Sequence, residues 1–229
     1  MTDLSHWTPR PRPERRVHQG RYVRLEPLDP VRHGDDLYAA SSGPGAEARF
    51  RYLFEAPPES RAAAETWLAK VAASEDPLYF AVVDQASGRA EGRMTFMRID
   101  QTHGVIETGN ILFGPRLART RGATEAVYLQ ARHAFDYLGY RRFEWKCNAL
   151  NEPSKRAAER LGFAFEGVFR QHMVVKGLNR DTAWYAMLDG EWPARKQAFK
   201  RWLSPDNFDE AGRQRIGLAA CHEGNRKAA

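Results

Sequence analysis

The sequence predicts an α/β protein of the α+β type: a mixed, mostly antiparallel central sheet of about six to seven strands with helices on both faces. Three features carry that prediction. Residues 78–114 hold three strand-like segments in succession, residues 122–161 alternate helix, strand and helix, and residues 163–188 return to strand.

In chain order, residues 1–20 hold three prolines and several arginines with few large apolar side chains, which predicts an extended, mobile basic arm. Tyr22 to Leu28 alternates apolar and polar residues as a half-buried strand does, and Asp29-Pro30 closes it. Between Glu59 and Ala73 the residues Ala64, Trp67, Leu68 and Val71 recur at helical spacing after Pro57-Pro58. Leu78 to Asp84 and Ala90 to Asp100 read as strands joined across QASGR, and Gly104 to Gly114 as a third strand. Val127, Ala131, Ala134, Phe135 and Leu138 then line one face of a helix that opens near Gly122 and stops at Gly139. Arg141 to Ala149 alternates as a strand, Glu152 to Leu161 as a helix, and Phe163–Phe169 and Asp181–Leu188 are strands with Gly177 and Asn179 at their turn. This frame places a domain at residues 21–190 and a C-terminal extension at 191–229. The extension opens with the amphipathic ARKQAFKRWL and ends in the polar, disordered-looking HEGNRKAA.

Composition narrows the function classes. Apolar residues make up 42% of the 229 residues and charged residues 28%, the mix of a soluble globular protein. The net charge of +6 suits RNA, DNA or a phosphorylated cofactor without choosing among them. Two separated cysteines, Cys147 and Cys221, form neither a disulfide framework nor a zinc pair, so a reducing cytoplasm and no metal are expected. No apolar run reaches the ~18 residues of a membrane span, and no secretory signal is evident.

The stretch RLARTRGATEA sits between a strand and a helix, where unpaired backbone N–H groups and the positive end of the helix dipole can bind an anion. Gly122 would let a ligand approach the backbone closely, and Arg119 and Arg121 could add charge-assisted contacts to phosphate. The plainer alternative is a helix capped by Thr120 or Thr124 with solvated arginines.

RTRGAT resembles motif A of the GNAT N-acetyltransferase superfamily, Q/R-x-x-G-x-G/A, with Arg119 and Gly122 at its first and fourth positions and Thr124 departing from the sixth. Thr followed by Glu-Ala is familiar in the RimJ/RimL branch, which acetylates N-terminal amines of ribosomal proteins. RRFEWKCNALNEPSKRAAERLGFAFEGVFR is similar to that branch's strand, Asn-x-x-Ser and LGF-x-x-EG blocks, and GVIETGNILFG to the strand before motif A. The resemblance runs from about Arg21 to Leu188. It implies acetyl-CoA with its pyrophosphate on the N–H groups of Arg119, Arg121, Gly122, Ala123 and Thr124, its pantetheine along Ile111, Leu112 and Phe113, and Asn151 on the opposite wall. It also implies that this strand splays from the next to open a cleft. Asn151 also reads as the N-cap of the helix from Glu152.

Direct transfer to an amine needs a proton acceptor, an oxyanion donor and an acid for the leaving thiolate. Glu107, as base or as an anchor for the incoming cation, and His172 as base are the candidates, although the position where some related enzymes carry Glu is Met173 here, and each has a structural reading as a salt-bridge carboxylate or an exposed histidine. The Tyr acid of many family members is excluded because its position holds Ala158, and Ser154 is the substitute, with a local capping role as its plainer reading. The oxyanion donor would be a backbone N–H near Ile111. Tyr52 and Glu55, with Leu53, Phe54 and the helix bearing Trp67, are expected to wall the acceptor amine, Glu55 as an ammonium ligand; Trp67 also reads as core. The resemblance implies an amine acceptor such as a protein N-terminus. The rivals are a polyamine, amino acid or antibiotic amine, or a non-catalytic CoA-binding or RNA-associated module. Phe199, Trp202 and Leu203 serve either to cover the domain or to form a homodimer in place of a monomer.

Overall fold

The computed structural model describes residues 3–226, with side chains to residue 222. β1 (His18–Gln19) and β2 (Val23–Pro27) lead into α1 (Pro30–Ser41), whose first turn is capped by Asp29 accepting the N–H groups of Val31 and Arg32. A short α2 (Ala46–Phe50) precedes α3 (Arg61–Ala72), where Ser60 accepts the N–H of Ala63 and so sets the helix start. β3 (Leu78–Asp84), β4 (Ala90–Asp100) and β5 (Val105–Phe113) follow, then α4 (Arg121–Arg132), which runs on into a π-helical turn at His133–Tyr137. β6 (Arg142–Asn148), α5 (Glu152–Arg160), the long hairpin β7 (Ala164–Val175) and β8 (Leu178–Leu188), α6 (Trp192–Leu203) and α7 (Leu218–Arg226) complete the chain.

The sheet has eight strands in the order β1-β2-β3-β4-β5-β6-β8-β7, one more than the upper expectation. The added strand is β1, inside the segment read as a mobile arm. That arm is extended but packed: Trp7 Nε1 donates to Thr102 O at 2.8 Å, the Arg10 N–H to Gln101 O at 2.9 Å, and Arg12 to Glu75 O at 2.6 Å. Every neighbouring pair is antiparallel except β5 and β6, which run parallel.

Helices cover both faces because β3 is apolar on both. Phe80 and Val82 join Val23, Leu25, Met94 and Phe96 in a core that α4 closes with Ala126, Val127 and Leu129. The alternate residues Tyr79, Ala81 and Val83 face Leu37 of α1 and Leu68 and Val71 of α3. α6 lays Phe199 against Tyr128 of α4 with ring centroids 5.5 Å apart, so the C-terminal extension shares the first core. α7 continues that layer through Leu218 and Cys221, so HEGNR is helical rather than disordered; residues 227–229 lie outside the described residues. Among the described residues no helix is long and apolar enough to cross a membrane, and no cluster of metal-ligating side chains occurs.

Candidate active site

The parallel pairing of β5 with β6 ends at Thr108 opposite Trp145, although both strands continue. The cause is visible in β5: Asn110 takes φ 48°, and the register with β4 shifts between Leu112 and Gly109, the signature of a bulge that bends a strand away from its neighbour. The β5 edge from Gly109 to Phe113 is therefore left without a strand beside it. Two cavities share this opening and the residues Trp145 and Pro153. One of about 740 Å³ runs toward α4, and one of about 300 Å³ runs toward residues 48–54.

The larger cavity ends at the start of α4. Thr120 Oγ1 accepts the Ala123 N–H at 3.3 Å, and among the described residues no acceptor reaches the N–H groups of Arg121 or Gly122. Arg119, at φ 64°, turns the backbone just before them, a left-handed turn of the kind from which anion-binding concavities are built. The Thr120 cap thus leaves the Arg121 and Gly122 N–H groups unpaired among the described residues. Arg119, Arg121, Arg156 and Arg160 line the space. Arg121 is stacked between Tyr22 and Phe208, 4.7 and 4.6 Å from the ring centroids, and Arg160 donates to Thr124 Oγ1 at 3.1 Å while lying over Trp202. Burial holds the Arg160 guanidinium below the ordinary arginine value.

At the smaller cavity Ser154 Oγ accepts Trp145 Nε1 at 3.0 Å, and Asn151 Oδ1 accepts the Ser154 N–H at 3.2 Å. Asn151 therefore caps α5 and also lines the cavity. Burial pushes the nearby Cys147 thiol up. Glu107 is buried and its Oε2 takes Arg98 at 2.7 Å and Lys146 at 3.0 Å, while Lys146 reaches Glu144 at 2.6 Å and lies over Trp184.

The model of the acetyltransferase (GNAT) domain family matches residues 23–164. The chain belongs to the GNAT acetyltransferase family. This GNAT chain is similar to a GCN5-related N-acetyltransferase from Brucella melitensis, 59% identical over 96% of this chain and 100% of that one, with TM-score 0.95. A GNAT-family structure from Chromobacterium violaceum ATCC 12472 is 42% identical over 85% and 96% of the two chains, with TM-score 0.78. A 64-residue stretch is 34% identical to the Bacillus subtilis (strain 168) protein named "Putative ribosomal N-acetyltransferase YdaF" and covers 28% of this chain and 35% of that protein's length.

GNAT acetyltransferases use acetyl-CoA, and the free N–H groups, the arginines and the open β5 edge of this GNAT domain suit its pyrophosphate and amide-rich arm. The structure brings Ile111, Phe113, Arg119, Arg121, Ala123, Thr124 and Asn151 to the cleft walls. Two of the expected residues turn their Cβ side away from it. Leu112 is buried on the other side of the strand from Ile111 and Phe113, so only its backbone can contribute. Gly122 faces Val23 and Leu117, so its missing side chain serves helix-on-sheet packing rather than ligand approach.

Tyr52 lines the smaller cavity and donates to Leu150 O at 3.1 Å. Glu55 is not free to take an ammonium group, because Arg93 already pairs with it beneath Trp67. Trp67 itself packs against the second core. His172 lies beside the cavity rather than in its lining: Nδ1 pairs with Thr182 Oγ1 at 2.9 Å, and burial with the nearby Arg98 and Arg180 lowers its pKa. Sequence reasoning missed Arg156 and Arg160, which sit one helical turn apart on α5, and Trp202, Phe208 and Gln214 from the extension. It also missed Arg98, Lys146 and Arg180. The i, i+4 arginine spacing was the readable signal; the others reach the cleft through distant strand pairing.

Proposed function

We propose that this chain transfers the acetyl group of acetyl-CoA to a primary amine, with the N-terminal α-amine of a protein, as in the RimJ/RimL branch, as the favoured acceptor class. The observation that carries the reading is the single cleft joining the unpaired N–H groups of Arg121 and Gly122 at one end to Ser154 and Glu107 at the other. Acetyl-CoA supplies the activated acyl carbonyl. Arg119, Arg121, Arg156 and Arg160 bind phosphate, the edge from Gly109 to Phe113 offers backbone groups to the extended arm, and Asn151 holds the facing wall. Ser154 is the candidate acid: its oxygen is oriented by Trp145 Nε1, which leaves its proton free to donate.

An α-amine has a pKa of about 8, so a weak base suffices at neutral pH. Glu107 is tied to two cations and acts chiefly to hold Arg98 and Lys146 at the acceptor end, and His172, neutral and next to the cavity, is the candidate for receiving the proton through water. The two cysteines are buried and unpaired, as suits the cytoplasm.

The test is mass spectrometry of peptides, ribosomal proteins and small amines incubated with the protein and acetyl-CoA, alongside calorimetry with CoA. Acetylation of peptide N-termini with micromolar CoA binding is expected. An absence of both acetyl transfer and CoA binding would overturn the reading.

A further inference from the structure

The acceptor end of the cleft holds a cation with which no carboxylate of the described residues forms an ion pair. Arg180, on β8, is 7% exposed and lines the smaller cavity, with its guanidinium 5.2 Å from the Phe54 ring centroid. Its Nε is buried with no acceptor, and among the described residues no hydrogen bond or ion pair reaches the guanidinium. Burial, with the nearby Arg98, pulls its pKa down from the arginine value against the weaker opposing influence of Cys147 and Glu107. The other cations of the cavity are occupied at their terminal nitrogens, although the Arg49 Nε also lacks an acceptor. Arg98 and Lys146 share Glu107, Lys146 also has Glu144, and the terminal nitrogens of Arg49 donate to Pro44 O and Ser42 O.

A buried guanidinium without an anion is costly, because desolvation is not offset by pairing. Glu107 cannot relieve it, being committed to two other cations, and it is the one carboxylate among the described residues that line this cavity. An acceptor with only positive charge would therefore meet four cations and one neutralised carboxylate.

We propose that Arg180 receives an anionic oxygen group, carboxylate or phosphate, on the acceptor, so that the amine acetylated here carries such a group a few ångströms from its nitrogen. The inference rests on the acetyltransferase reading above and narrows its substrate class. Polyamines and simple alkylamines are excluded as preferred acceptors. Free amino acids, peptides with an acidic first side chain and phosphorylated amines share the required chemistry. The planar fork of Arg180 suits two oxygens of one such group at once.

Conjugates that join CoA sulfur through an acetyl bridge to the acceptor nitrogen test this without turnover. Three acid members, built from glycine, an aspartyl peptide amide and phosphoethanolamine, are compared by calorimetry with neutral counterparts from glycinamide, an asparaginyl peptide amide and ethanolamine. At least one acid conjugate is expected to bind about tenfold or more tighter than its partner. The pair that shows the gain identifies a free carboxylate, an acidic side chain or a phosphate as the source. R180Q should erase the difference and R180K should keep part of it, while both bind plain CoA as the wild type does, which also shows that they fold. Equal binding within all three pairs, or a preference that survives in R180Q, overturns the proposal. Failure of the wild type to bind plain CoA overturns the acetyltransferase reading itself, and this proposal with it.

Discussion

A Cβ placed on Gly122 would lie 2.7 Å from Cγ1 of Val23 and 3.1 Å from Cδ1 of Leu117. The glycine of the cofactor motif is thus required by the sheet. It lets the first turn of α4 settle on β2, and that approach holds the Arg121 and Gly122 N–H groups at the cleft.

Gly122→Ala is accordingly expected to cost stability before it costs cofactor affinity. Overpacking a close contact costs about 1–3 kcal/mol, offset by up to about 1 kcal/mol of helix propensity. Val23 is β-branched and buried at 0% exposure, so it has little room to yield. Urea unfolding should show the loss, and Val23→Ala in the same chain should restore part of it. A stable Gly122→Ala with weakened CoA binding would instead return the glycine to the ligand.

Glu125 makes the second tie between the same elements. Its buried carboxylate accepts the N–H groups of Arg21, Tyr22 and Val23 at 2.8, 2.6 and 2.9 Å, holding the start of β2 against α4. Glu125→Gln keeps the shape but replaces one acceptor oxygen with a donor facing these N–H groups. With hydrogen bonds to charged groups at ~1.5–3 kcal/mol each, a loss of at least about 2 kcal/mol in denaturant unfolding is expected. A change within error would mean that water replaces the carboxylate.

The seven strands and the helices at α3, α4, α5 and α6 were legible because their apolar periods are uninterrupted, and RTRGAT marked the loop that opens α4 beside the larger cavity. α1 was not legible. Its buried face is built from His33, Gly34, Leu37, Ala40 and Ser41, and three of these carry no apolar signal. β1 is two residues long and is recognisable only by its pairing of His18 with Leu25. Leu112 and the Cβ side of Gly122 turn away from the cleft, so only their backbone can serve it; a motif names positions and not the direction in which they face. Glu55 looked available because its partner, Arg93, is 38 residues away on β4.

The arginines of α5 should dominate cofactor affinity. Arg160 is half-buried and positioned by Thr124 and Trp202, whereas Arg156 is exposed. Arg160→Gln is expected to weaken CoA about tenfold, the equivalent of one charge-assisted hydrogen bond, while Arg156→Gln does less because solvent screens it. Calorimetry across a salt series checks this, with affinity falling as ionic strength rises. Two variants with equal, negligible effects would place the phosphates elsewhere.

Ser154→Ala removes the candidate acid and leaves the helix cap in place, because Asn151 accepts the backbone N–H of residue 154 and not its side chain. The expected result is a fall in kcat of about 10–100-fold at the lower end of general-acid effects, with the KM for acetyl-CoA nearly unchanged. Trp145→Phe, which removes the donor that orients the hydroxyl at 3.0 Å, should fall between Ser154→Ala and wild type. Steady-state kinetics that left kcat intact in Ser154→Ala would reduce Ser154 to a structural group.

His18 and His133 give stability a pH dependence far from the cleft. Their rings lie 4.4 Å apart against Phe96, and burial first, then the positive neighbours Arg16 and Arg132, pushes them down to about 3 and about 4. Both are neutral in the fold at neutral pH. Above an unfolded-state pKa of about 6.5 the two states bind the same protons at these sites, and the pair leaves stability independent of pH. As pH falls below that value the unfolded chain takes up as many as two protons that the fold refuses, so stability declines down to the folded values. The urea midpoint is therefore expected to drop steadily between pH 7 and pH 5 (about the span that precedes carboxylate titration). His133→Phe should reduce that slope by removing one titrating ring and the charge repulsion on His18. A midpoint that stays flat from about pH 7 to pH 5 would show that the pair ionises within the fold.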